Sequence, residues 1–102
     1  MTMSHESLVD SLLKLSPEDF FTRERMIECG IALPQVRFSH RRIISCCMTD
    51  STTLGRDPVK NMREFLERWP TKFELMREPN MGEKIATTIF TVIQKTGLQR
   101  VH

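Results

Sequence analysis

Arg37, His40, Arg41 and Arg42 place three guanidinium groups and an imidazole within six residues, the densest cationic cluster in the chain. A guanidinium presents its donors in a planar fork that fits phosphate oxygens, and arginine also suits narrow, electronegative minor grooves. A second cationic spot is Lys84, two residues after Gly82 in Pro79-Asn80-Met81-Gly82-Glu83-Lys84. If a helix starts at Gly82, its first amides have no internal partner, and a residue without a side chain lets a phosphate reach them. Each spot also has a plain structural reading. The arginines can be a solvated helix end paired with acids from residues 1–36, and Gly82 can simply permit a sharp turn between packed helices.

No constellation for catalysis is present. His5, His40 and His102 are scattered, and no serine, cysteine or carboxylate sits in a motif that would activate it. A phosphate-cradling GxxxxGK[ST] loop is absent from the sequence. Cys29, Cys46 and Cys47 are odd in number and include an adjacent pair, which is no disulfide framework, and no Cys/His spacing suggests zinc. They are expected as small apolar residues of a reduced, intracellular protein. The expectation is therefore no enzyme, no cofactor and no metal site.

The 102 residues amount to one domain with a single modest core. No stretch approaches a membrane span, and the first thirty residues lack a charged start followed by an apolar run, so no secretory signal is expected. The implied location is intracellular, cytoplasmic or nuclear. Net charge is only +2, but residues 1–36 carry three basic and six acidic side chains, whereas residues 37–102 carry twelve and seven. That asymmetry leans the second segment towards a polyanion.

The elements that would hold these charges read as short helices. Residues 4–15 place Leu8, Leu12, Leu13 and Leu15 near one stripe. Ser16-Pro17-Glu18-Asp19 is a helix entry, with serine as cap, proline in the first turn and acids at the positive dipole end. The helix that follows carries Phe20, Phe21, Met26, Ile27 and Cys29 inward and stops near Gly30. A helix-turn-helix over Arg23 to Ile43 is an alternative arrangement, with Gly30 at the turn, Leu33-Pro34 opening the second helix and Val36 packing inward. In the preferred reading Ser39 instead caps a helix with Ile43, Ile44, Cys46 and Cys47 inward. Residues 50–58 read as a loop ending in a helix start at Asp57-Pro58, and the helix runs to Trp69. Trp69 reads either as a core cap at that corner or as an anchor for a partner. Thr71 caps a short helix that ends at Pro79. Ile85, Ile89, Phe90, Val92 and Ile93 then recur at helical spacing until Lys95 and the stop at Gly97.

From Phe38 to Leu98 the chain resembles the C-terminal domain of the bacterial RNA polymerase α subunit, a compact relative of helix-hairpin-helix modules. The residues that carry this are Glu74-Leu75, Pro79-Asn80-Met81-Gly82, Lys84, Thr88, Ile89 and Gly97-Leu98, with Phe38-Ser39-His40-Arg41 and Glu67-Arg68 upstream. Ile44, Glu83 and Ile85 depart from that family's pattern, and the connection from Met48 to Val59 is longer. The resemblance implies that Arg41 takes the place of a minor-groove arginine. With it come transcription as the setting, and contacts to transcription proteins. The segment Met62 to Trp69, together with Gly97-Leu98-Gln99-Arg100-Val101, is also similar to the last part of a death-domain-type bundle. That would imply a protein partner or self-association without nucleic-acid binding.

The resulting expectation is an all-α single domain of five or six short helices, with residues 38–98 as the hairpin core and residues 4–36 as an added helical pair. Arg41 and Arg42 would enter the minor groove of A/T-rich DNA, while Gly82 and Lys84 hold a flanking phosphate. Binding would be weakly sequence-selective and strongly salt-dependent, with no membrane role. Trp69 would be the anchor under the protein-partner alternative.

Overall fold

The structure, a computed structural model, describes residues 5–98, with side chains from Leu8 onward. Residues 99–102, which include His102 and the end of the death-domain resemblance, lie outside the described residues. The described chain is all-α. Its helices are α1 (His5–Leu13), α2 (Pro17–Phe20), α3 (Arg23–Glu28), α4 (Leu33–Ser45), α5 (Met62–Arg68), α6 (Lys72–Leu75) and α7 (Glu83–Lys95). No helix among the described residues is long and apolar enough to cross a membrane.

Local chemistry sets several boundaries where the sequence places them. The Ser16 side chain accepts from the Asp19 amide at 3.1 Å, with Pro17 opening α2. Thr71 and Glu74 form a reciprocal capping box at α6. Gly97 takes φ 79° after α7, a left-handed conformation that β-carbons resist. Lys95, in the last turn of α7, donates from Nζ to the Cys29 carbonyl at 2.9 Å and so ties that helix end to the turn before α4.

Other boundaries differ from expectation. The single helix expected after Ser16 is two, α2 and α3. Phe20 and Phe21 are both fully buried, and the first helix ends at Phe20 because Phe21 leaves helical backbone (φ −88°, ψ 54°). The chain breaks between them and the next helix: Thr22 is extended and its hydroxyl accepts from the Arg25 amide at 3.2 Å. Arg25 Nη1 then bonds the Phe20 carbonyl and the guanidinium stacks 4.9 Å from the Phe20 ring. Ile27, expected inside, is half exposed at 49 %. Gly30 (φ 85°) closes α3.

The helix assigned to a Ser39 cap begins six residues earlier, at Leu33. Ala32 is extended and Pro34 occupies the first turn, where its missing amide proton costs nothing. Ser39 is therefore mid-helix and buried, and the division expected at residue 37 falls inside α4. Nor do residues 50–53, the first part of the expected loop, form one. A π-helical turn over Cys46–Asp50 and a last α turn over Ser51–Thr53 prolong α4. Their polar side chains bond back into the helix: Ser51 Oγ donates to the Cys46 carbonyl (2.7 Å), Thr52 to Met48 and Thr53 to Thr49 (3.0 Å each). Asp57-Pro58 starts no helix, because Asn61 caps α5 instead by accepting from the Glu64 amide at 2.9 Å. In the hairpin, α6 stops at Leu75, short of Pro79, and the left-handed residue is Asn80 (φ 62°).

One core joins the two halves. Phe21, Phe65, Trp69 and Phe90 pack with ring centroids 5.0–6.4 Å apart around Phe65. From α7, Ile85, Ile89, Phe90, Val92 and Ile93 all enter it, as their spacing predicts. Leu12, Leu13 and Leu15 pack on its edge, whereas Leu8 is exposed.

Candidate nucleic-acid interface

On α4 the core face is set by Val36, Ser39 and Ile43, all at most 1 % exposed. At about 100° per residue, Arg41 stands roughly 140–160° around the helix from each of them. Arg37, four residues earlier, shares that outer side, and both are exposed. The turn through Gly30 folds α3 back beside α4, so Arg23 comes to the same place. The result is an open groove of about 620 Å³ bordered by Arg23, Arg37, His40, Arg41, Ile44 and Ser45. It contains three guanidinium groups and an imidazole, and no carboxylate borders it.

These arginines are not spent on structure. Among the described residues Arg23, Arg37, Arg41 and Arg42 form no ion pair. Of the described acids in the N-terminal segment, Asp10 pairs with Arg63 at 3.9 Å, both side chains well exposed. The groove is therefore electropositive, and among the described residues no acid of residues 8–36 forms an ion pair with the cluster. Arg23 was not singled out from the sequence. The signal for it was the helix-turn-helix spacing of residues 23–43, which brings position 23 onto position 41.

Arg42 is half-buried and does not border the groove. Neither do Gly82 and Lys84: no residue of the 76–84 turn lines it. Both are exposed at the start of α7. Gly82 has an ordinary extended backbone (φ −79°, ψ 166°), and a β-carbon there would meet open space. Glu83, also exposed, already sets a carboxylate against the positive end of the α7 dipole. The turn is held from inside by buried Met81. The expected convergence of Arg41 with Gly82 and Lys84 is thus not the geometry found.

Trp69 is corrected as a partner anchor. It is 2 % exposed, edge-on to Phe65, and its Nε1 donates to Glu78 Oε1 at 2.9 Å. A side chain inside the core offers no contact area to a partner. Glu78 is also gripped by Arg56 through two bonds of 2.6 and 2.9 Å. The Arg56 guanidinium, followed by the Trp69 hydrogen bond, holds the Glu78 carboxyl below the usual glutamate range.

Burial raises the Cys46 thiol to about 12 and pushes the Cys47 thiol up further. Such thiols stay protonated at neutral pH, as expected of apolar core residues. Among the described residues no cluster of His, Cys, Asp and Glu could hold a metal ion. Comparisons with protein-family models, curated proteins and solved structures return no match.

Proposed function

We propose that this chain binds nucleic acid through its phosphate backbone, along the outer side of α4. The observation that carries this reading is the groove in which Arg23, Arg37, His40 and Arg41 meet, among the described residues, with neither ionic partner nor bordering carboxylate. Arg37 and Arg41 are separated by four helical residues, about 6 Å along the axis. A strand with one charge per nucleotide can run past that pair and place successive phosphates on guanidinium forks. The transcription setting and the choice of DNA follow from the sequence resemblance.

Three arginine contacts give a salt exponent of roughly −2.1 to −2.7, so affinity falls about 20- to 40-fold between 50 and 200 mM salt. The test is fluorescence anisotropy of labelled oligonucleotides at these two concentrations. The doubly substituted Arg37→Gln/Arg41→Gln chain should lose most of the affinity and about two-thirds of the exponent. Lys84→Gln should change neither. Absence of binding, or a loss produced by Lys84→Gln and not by the double substitution, overturns the proposal.

A protein-interaction role is the second reading, and one observation favours it. Leu33 (65 % exposed) and Phe38 (59 %) lie on the same helix as the arginines, an apolar and cationic mixture that protein surfaces also recognise. Under that reading the anchors are Leu33 and Phe38.

A further inference from the structure

Ile44 borders more than the groove. That side chain is also one wall of a second, more enclosed cavity between the start of α2, the end of α4 and the segment before α5. Pro17, Cys47, Met48, Pro58 and Val59 complete its apolar walls. Its volume is about 250 Å³, just under the range of about 300–1,000 Å³ that takes drug-sized ligands. Such a space suits one ring system. Its polar residues are Ser16, Glu18 and Lys60. Glu18 and Lys60 are exposed and neither charged group has a partner among the described residues. The Ser16 oxygen already accepts at the α2 cap, which leaves its proton free to donate.

A ligand that fills both spaces must join an anionic backbone to a compact, largely apolar group whose edge both donates and accepts hydrogen bonds. A nucleotide with an exposed base has that form. A base inside a duplex does not, since it must first leave the stack and its pairing partner. We propose that single-stranded nucleic acid is the preferred ligand, with its phosphates on Arg23, Arg37 and Arg41 and one unstacked base beyond Ile44 in the cavity. This deepens, and rests on, the nucleic-acid reading above. The rim favours a base over the apolar side chain of an acidic peptide. Lys60 and the Ser16 hydroxyl can donate to base oxygens and nitrogens, and Glu18 can accept from an exocyclic amine, whereas it repels acids flanking a peptide anchor.

The test compares four labelled probes by anisotropy with the full chain at one salt concentration: a 12-nucleotide single strand, a hairpin duplex of the same sequence, a 12-unit abasic phosphodiester strand, and an acidic peptide with a central leucine. The single strand should bind about tenfold more tightly than the duplex, as edge contacts to one base imply, and the abasic strand should lose that advantage. Equal binding of the three nucleic-acid probes, or tighter binding of the duplex, overturns the single-strand proposal and leaves backbone recognition standing. Binding of the peptide alone, or of none of the four, overturns both.

Discussion

Replacing Glu78 by alanine perturbs a place where loop and hairpin are locked by charge. The Glu78 side chain is 9 % exposed and accepts from Arg56 Nη1 and Nη2 and from Trp69 Nε1. Removing it strands a buried indole N–H, which costs about 1–3 kcal/mol. Arg56 keeps a third of its side chain in water, so it can rehydrate, and its share lies well under the several kcal/mol lost when a fully buried pair is broken. The expected loss is about 2–3 kcal/mol, or roughly 10–20 °C in melting temperature for a domain of this size. Glu78→Gln retains an acceptor for Trp69 and should cost about 1 kcal/mol.

The two variants also separate charge from packing through pH. Arg56 depresses the Glu78 carboxyl in the folded state. Its contribution is therefore complete above the ordinary glutamate value of about 4.3 and fades as pH falls through the lower folded value. Urea denaturation at pH 7 and pH 3 reads this directly: the parent chain loses stability on acidification, and the glutamine variant loses less. An alanine variant within about 0.5 kcal/mol of the parent, or a glutamine variant equally acid-sensitive, refutes the reasoning.

Three shorter predictions follow from the corrected positions. Ser39→Ala should leave stability unchanged or raise it by up to about 1 kcal/mol, because the Ser39 hydroxyl is buried without a partner; a cap would instead lose about 1 kcal/mol, and urea titration tells the two apart. Trp69, the sole tryptophan, should emit at short wavelength and resist acrylamide quenching in the native chain, and ready quenching would contradict its burial. Thiol labelling at pH 8 should modify Cys29, at the core edge, well before Cys46 and Cys47, and equal rates would contradict the raised thiols of the π-helical turn.

What the sequence reveals depends on whether the deciding interaction is local. Ile85 to Ile93 announce α7 because one face of one helix supplies the whole pattern, and Ser16-Pro17 and Thr71-Glu74 announce caps closed within four residues. Residues 50–53 mislead because serine, threonine and aspartate favour turns by propensity, yet here Ser51, Thr52 and Thr53 donate to carbonyls of the helix they extend, and Asp50 accepts from Ser45. Ser39 resembles a cap for the same reason, and only the entry at Ala32-Leu33-Pro34 removes it from that role. At the site, Arg37 and Arg41 are visible as a cluster four residues apart. Arg23 is not, since its place depends on the Gly30 turn bringing α3 against α4. The distance of Lys84 from that groove could not be read at all, because it depends on how α7 packs across the core.

The most direct test of the groove is an NMR titration of isotope-labelled full chain with a 12-nucleotide single strand. Side-chain Nε resonances of Arg23, Arg37 and Arg41, and amides around Ile44, should shift together and saturate together, while Asn80 to Lys84 stay still. Shifts confined to the Asn80–Lys84 turn, or none anywhere, would contradict the assignment of nucleic-acid binding to the outer side of α4.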